Sequence, residues 1–355
     1  MSRIVFFDPV CPAPYDSRTL ASQAMAGTEA SVTRIADRLG AFVQQHNRTA
    51  AWERYLPPGP IDGIEQVVLI REPRALPAVR ALYPGARIHL WLHDKMQPRT
   101  KRGRRLRSMR DALAGMGGSI LCVSQTHRRD VRATLAWIGT PDLDTRVLYN
   151  PVDDALRPDA TPVDPDRLVF FSSPNKGLAF ALDAFAALRR ALPSLTLLVG
   201  NPGYKRGGSV ARRGVRYLGP QPAARIHAEV RAALATFHPN FLIPETFGLV
   251  YAESHALGTP VLTHDFGAAL EIVADPRQVL PVTAAQRTYE RTAALLPWRG
   301  VLAALADRTG VFDAYIERIR AWRAGDRPQV APDPRFALSR IAGQWRELLM
   351  AEAHL

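Results

Sequence analysis

Glu245 and Glu253 are the two residues of this chain whose type and spacing point most directly to chemistry. They lie in Pro244-Glu245-Thr246-Phe247-Gly248-Leu249-Val250-Tyr251-Ala252-Glu253. Eight residues of helix rise roughly 12 Å, which reaches from a sugar past a diphosphate to a ribose. Backbone N–H groups at a helix start attract phosphate through unpaired donors and the helix dipole. One carboxylate can then take sugar hydroxyls, the N–H groups the phosphates, and the other carboxylate a ribose diol.

The surrounding elements must hold these groups in place. A short apolar strand at 235–237 runs into a Pro-broken loop, which delivers Pro244 to Gly248 to the head of a helix. That helix carries Glu253 and stops at Leu257-Gly258, with Gly in the usual position just past a helix end. A second strand at 260–263 follows, then a turn at Phe266-Gly267. The order is strand, loop, helix, strand, a βαβ unit with a long first loop.

The segment PETFGLVYAES, with HPNFLIPETFG before it and ALGTPVLTHDFGAALEIV after it, resembles the E-x7-E signature and donor-binding half of retaining glycosyltransferases of the GT-B fold, family 4 in particular. The resemblance extends weakly over most of the chain. It implies two Rossmann-like, doubly wound α/β domains facing a central cleft, with no cofactor and no metal. The donor would be a nucleotide-diphosphate sugar and the acceptor a glycan, a lipid-linked group or another hydroxyl, in cell-surface polysaccharide or glycoconjugate synthesis.

Carried onto this chain, the resemblance gives residues their roles. Glu245 holds the sugar hydroxyls and Glu253 the ribose. Lys176, in Ser172-Ser173-Pro174-Asn175-Lys176-Gly177, neutralises the diphosphate together with the backbone of Thr246, Phe247, Gly248 and Leu249. The family often has an Arg shortly before this Lys. Ser172 and Ser173 stand there instead, leaving Lys205, Arg206 or Arg225 as substitutes. His93, after the strand 87–92, faces the transferred sugar from the acceptor-side domain. Gly27 lets backbone approach the ligand; otherwise it simply opens a helix capped by Thr28. Asn201 and a turn at Tyr217-Leu218-Gly219 shape the nucleobase pocket. His238 and His255 read as structural.

Along the chain, strands at 4–7, 66–70, 87–92, 119–123 and 146–148 alternate with helices, and their continuous apolar character suits a parallel sheet buried on both faces. A Pro-rich passage from Asn150 through Pro165 reads as a linker. Strands at 168–171, 195–199 and 215–219 then open a second α/β domain. The boundaries are 1–160 for the acceptor-side domain, 161–330 for the donor domain and 331–355 for a last helix that crosses back to the first.

Composition narrows the class. With 355 residues and 47% hydrophobic content, two globular domains are natural. Two cysteines make no disulfide framework and suit a reducing compartment. No apolar run reaches membrane-span length and the N-terminus does not read as a signal peptide, so a cytoplasmic protein is expected, with peripheral contact at an anionic membrane face. The net charge of +13 favours an anionic partner. Arg99, Lys101, Arg102, Arg104 and Arg105 form a basic run read as an acceptor or anionic-surface site, or else as a solvated loop. It lacks interleaved aromatics, which argues against stacking on nucleic acid. Two Asp-x-Asp matches, Asp142-Leu143-Asp144 and Asp164-Pro165-Asp166, offer a metal-dependent alternative but read as connectors. A sugar-nucleotide epimerase of the same shape, and a non-catalytic basic protein binding anions or nucleic acid, are the rival readings.

Overall fold

A computed structural model describes residues 3–201, 211–295 and 299–350. The chain divides into two compact units. The first comprises Met1–Leu20, Gly27–Asp154 and Pro334–Leu355; the second comprises Ala21–Ala26 and Ala155–Asp333.

The first unit carries seven strands: β1 (Ile4–Asp8), β2 (Phe42–Gln45), β3 (Tyr55–Leu56), β4 (Gln66–Ile70), β5 (Arg87–Leu92), β6 (Gly117–Cys122) and β7 (Thr145–Val147). They form one sheet in the order β3-β2-β1-β4-β5-β6-β7, with every pairing parallel. Parallel strands need crossovers that cover both faces, so β1 and β4 are apolar but for one end residue each, Asp8 and Gln66, and are buried at every residue. The chain also forms β2 and β3, and a short helix Ser17–Ser22 inside the first long loop, none of which the apolar pattern predicts. In β2, Gln44 and Gln45 replace apolar residues and are buried with their amides bonded. Tyr83 Oη donates to Gln44 Oε1 (2.7 Å), and Gln45 Nε2 donates to Tyr15 O (2.7 Å).

The second unit repeats the pattern with β8 (Asp164–Phe171), β9 (Thr196–Asn201), β10 (Val215–Pro220), β11 (Ala233–Phe237), β12 (Val261–His264) and β13 (Val279–Leu280). The order is β10-β9-β8-β11-β12-β13, again parallel. In each sheet the strand order reverses between the first strand and its inner neighbour, β1 beside β4 and β8 beside β11. Loops leaving the carboxyl ends of such a pair run in opposite directions, and the crevice they leave is where open α/β sheets hold ligands. On one face of the second sheet Phe170, Phe180, Phe185, Phe237, Phe312 and Tyr315 pack together.

The last helix, Leu338–Met350, belongs to the first unit. Its Trp345 lies edge-on to Trp91 at 4.8 Å between centroids and against Phe6 at 5.4 Å. Trp91 in turn meets the His93 ring at 4.4 Å. Asp154 at the end of the first unit's main span accepts from the Ser339 N–H at 3.1 Å. Cys11 and Cys122 are buried, and burial pushes both thiols up to about 12, which makes neither a nucleophile. No helix among the described residues is long and apolar enough to cross a membrane.

Trp345 is fully buried, so Trp345→Ala removes a large side chain from a packed aromatic cluster. It is expected to destabilise the first unit by about 3–5 kcal/mol. Urea unfolding followed by tryptophan fluorescence measures this; a cost below about 1 kcal/mol contradicts the packing role of the helix.

Candidate functional site: a buried ion pair at the switch point of the second sheet

The loop after β8 and the loop after β11 meet at the reversal of strand order. The first is held by its own backbone: Lys176 N–H donates to Ser173 O at 2.8 Å, and Gly177 turns through φ 87° into the helix Leu178–Ala191. The second is shaped by buried Asn240, whose Nδ2 donates to Ile243 O at 2.6 Å. Gly267 then fixes Glu245. At φ 68° it sits so close that a Cβ would meet Glu245 O at 2.6 Å, and the neighbouring Ala268 N–H donates to that same oxygen at 2.9 Å.

The two loops are joined by charge. Lys176 Nζ donates to Glu245 Oε2 at 2.8 Å. On the other oxygen, Oε1, His238 Nε2 approaches to 3.4 Å from a fully buried ring set between Phe170 and Tyr251. Burial alone would raise the Glu245 carboxyl, but Lys176 and His238 outweigh it and hold the group at about 2. Glu245 is therefore an anion throughout the ordinary pH range and is suited to accept hydrogen bonds, not to donate a proton.

Lys176 is a largely buried cation that is already paired, and one sequence expectation about Glu253 changes here. The span from Glu245 to Glu253 is not one length of helix: the helix is Leu249–Ala256, and Glu245 to Gly248 are loop. Gly248 is the hinge, at φ 95°, with its Cα hydrogens against the Tyr251 ring; a Cβ would lie 2.4 Å from that ring. Ser254 Oγ ties the helix down by donating to Thr259 O at 2.8 Å. Glu253 stands within the helix with His227 Nε2 at 3.9 Å. Thr246, Phe247, Gly248 and Leu249 occupy the entry to that helix, Phe247 being buried.

The remaining candidates are placed as follows. Asn201 ends β9, and Tyr217 and Leu218 lie on β10, the edge strand, where a strand is expected at 215–219; in place of the turn also expected at 217–219 there is a register irregularity within that strand. Lys205 and Arg206 fall outside the described residues. Arg225 pairs with Glu229 on its own helix at 2.7 Å. His255, read as structural, bonds Gln278 Oε1 at 2.8 Å. Both Asp-x-Asp matches are occupied by arginine: Asp144 by Arg146 (2.6 Å), and Asp166, which lies in β8 and not in a connector, by Arg323 (2.6 Å). No group of three or more metal-ligating side chains occurs among the described residues.

In the first unit, Gly27 is itself the first residue of the helix Gly27–Leu39, so Thr28 lies inside the helix and does not precede it as a cap. His93 follows β5 and is buried, which with nearby Arg71 and His127 pushes it well below the usual histidine range. The basic run is a helix, Lys101–Arg107, capped by the Thr100 hydroxyl, and not a loop. Arg102 pairs with Asp94 (2.8 Å) and Arg105 with Glu72 (3.1 Å), while Lys101 and Arg104 are exposed; Arg99 precedes the cap at φ 63°. His238 is the residue that sequence reasoning undervalued; its position directly after a buried strand, as His93 follows β5, was the available signal.

Residues 165–296 match the family model of glycosyl transferases group 1. A phosphatidyl-myo-inositol mannosyltransferase from Mycobacterium leprae is 31% identical over 111 residues, 30% of this chain. The match spans only 29% of that relative's length. Among solved structures, HepE from Anabaena in complex with UDP is similar with a TM-score of 0.62 and 18% identity, covering 98% of this chain and 99% of the other. Sucrose-phosphate synthase from Thermosynechococcus elongatus gives 0.64 at 17% identity, covering 99% of both chains. The fold is GT-B: two Rossmann-like units, each built on a parallel sheet. The family match ends at residue 296 and so contains Lys176, Glu245 and Glu253.

Lys176→Ala leaves Glu245 buried without its closest counter-charge, so the expected cost is about 3–5 kcal/mol, against the near-zero cost expected of a surface lysine. The double variant with Glu245→Gln should recover much of it. A denaturant double-mutant cycle checks both; additive costs would show that the pair is not coupled.

Acid should act in two windows. His127 and His264 are buried and held near 4 by desolvation. Their folded values lie below the unfolded one, so the unfolded state binds more protons and stability falls as pH drops from about 6.5 to 4. Glu245 contributes stability above about 4.5 that is lost as pH falls towards 2. Glu245→Gln should shrink the lower window, to which Asp16 and Glu72, also held low by their hydrogen-bond partners, contribute, and leave the upper one intact in urea titrations at stepped pH; loss of the upper window in that variant contradicts the assignment.

Proposed function

We propose that this protein is a glycosyltransferase of the EC 2.4 class, moving a sugar from a nucleotide-diphosphate sugar to a hydroxyl acceptor with retention of configuration. The observation that carries this reading is the Lys176–Glu245–His238 cluster at the head of the Leu249–Ala256 helix, inside the segment that matches the group 1 family. The UDP and UDP-glucose named for HepE support a nucleotide-sugar donor.

The chemistry follows from charge. Glu245, anionic and fixed, accepts hydrogen bonds from donor sugar hydroxyls. As the bond from the sugar's anomeric carbon to the diphosphate oxygen breaks, negative charge grows on the diphosphate. Lys176 and the N–H groups at the helix entry stabilise that charge. The acceptor oxygen forms the new bond on the same face, and its proton passes to the departing diphosphate oxygen, so nucleoside diphosphate leaves and no enzyme carboxylate becomes covalently bound. Glu253 takes the ribose diol, with Asn201, Tyr217 and Leu218 near the base. His93 serves the transferred sugar, and Gly27 lets backbone approach the donor. Lys176 already neutralises Glu245, so the diphosphate must share or take over that ammonium.

In this reading the protein belongs to family 4, works in the cytoplasm on glycan or lipid-linked acceptors, and needs no metal. A panel of nucleotide-sugars should identify a donor through a raised melting temperature, because a ligand bound by the folded state alone stabilises it. Transfer should persist in excess EDTA, with the product anomer matching the donor by NMR. Complete loss restored by magnesium or manganese, or an inverted product, overturns the mechanism. Lys176→Met should lower kcat by on the order of 100-fold or more as well as raising donor KM.

A further inference from the structure

The first sheet has its own switch point, and it is charged as well. β1 ends at Asp8 and β4 is followed at once by Arg71. Arg71 Nη2 bonds Glu29 Oε1 at 2.6 Å and lies 3.8 Å from Asp8 Oδ2, both carboxylates being buried. Arg71 holds a left-handed φ of 62°, a conformation that costs a residue with a side chain on the order of 1 kcal/mol and persists where the surroundings enforce it. Its Nε, and Glu29 Oε2, are buried without a hydrogen-bond partner.

Beside this residue is a cavity of about 220 Å³, lined among others by Val10, Arg71, Glu72, Asp94, Arg102 and Arg105. That is below the roughly 300–1,000 Å³ of drug-sized sites and suits one sugar-sized ring. Of its two carboxylates, Glu72 is bonded on both oxygens and Asp94 on one, while its guanidinium groups keep N–H donors free of those partners. Glu72 takes Arg74 through Nε (2.8 Å) and Nη2 (3.1 Å), and also Arg105 through Nη1 (3.1 Å). Asp94 takes Arg102 through Nη2 (2.8 Å). The acids thus act as struts that hold arginines with N–H donors to spare. Exposed Lys101 and Arg104, on the helix that carries Arg102 and Arg105, add positive field and no compensating acid.

We propose that this cavity binds a hydroxylated ring bearing a phosphate or carboxylate, with Arg71 serving the hydroxyls and Arg102 and Arg105 the anionic group. Resting on the transferase reading, this ring is the acceptor. A neutral ring lacks the partner that two partly satisfied guanidinium groups require, whereas a phosphate or carboxylate accepts from both.

The test is calorimetric titration with glucose 6-phosphate, glucuronate, glucose and inorganic phosphate, with UDP titrated on the same samples. Both charged sugars should bind at least about tenfold more tightly than glucose and than inorganic phosphate, the size of effect that charge-assisted hydrogen bonds give. Arg102→Gln and Arg105→Gln should each weaken the charged sugars about tenfold and leave UDP affinity unchanged, with Arg102→Lys intermediate. Arg74→Gln is the control: it removes a cation from the same Glu72 but does not line the cavity, and it should leave sugar affinity within about twofold. Equal binding of glucose, or an equal loss in Arg74→Gln, overturns the proposal in favour of a general basic surface. Charged sugars bound without any affinity for UDP or a nucleotide-sugar would sink the transferase reading and leave the cavity's preference standing.

Discussion

Both sheets are built from parallel strands, and that constraint organises the rest of the molecule. A parallel strand cannot be joined to its neighbour by a tight turn, so each is followed by a crossover, and all carboxyl ends emerge along one edge. Where the winding direction reverses, two loops diverge and leave a crevice. In this chain charged residues fill those crevices: Lys176 and Glu245, beside the His238 ring, in one unit, and Asp8, Glu29 and Arg71 in the other. The same topology, used twice, produces the same kind of site twice.

Such buried charges do not obviously stabilise a fold. Desolvation offsets most of the attraction, and apolar replacements are often as stable. Their value lies in having donors and acceptors fixed in a low-dielectric place before a ligand arrives. The two clusters differ in how they are satisfied. Glu245 is flanked on each oxygen, which makes it a settled anion. Asp8, further from Arg71 than Glu29 is, has its carboxyl raised by burial in spite of that guanidinium.

Much of this architecture can be read from the residue pattern. β4 and β5 begin and end where the largely apolar runs at 66–70 and 87–92 do, because strands buried on both faces carry few polar residues, among them His89 and Gln66, which bond each other. β2 breaks that rule with Gln44 and Gln45, whose bonding partners lie far along the chain, so periodicity could not reveal it. β3 and β13 have two residues each, too few to show any period. The types of the site residues were legible in Glu245, Lys176 and Glu253. Their pairing was not, since Lys176 and Glu245 are 69 positions apart and only tertiary folding brings them together. A lone histidine gives no sign of what it faces, and the left-handed backbone of Arg71 has no signature in the sequence at all.

Gly267 carries a consequence for motion. Its backbone is packed against Glu245 N and O so closely that no side chain fits there, and the next N–H is bonded to that carbonyl. The main chain of Glu245 is thereby pinned, and Gly248 beyond it is pressed on the Tyr251 ring. Rearrangement at the ion pair falls instead to the long, flexible side chain of Lys176. Exchange of its partner is then a side-chain rotamer event and not a loop opening. The slow steps of this molecule must be sought elsewhere than at its central charge pair.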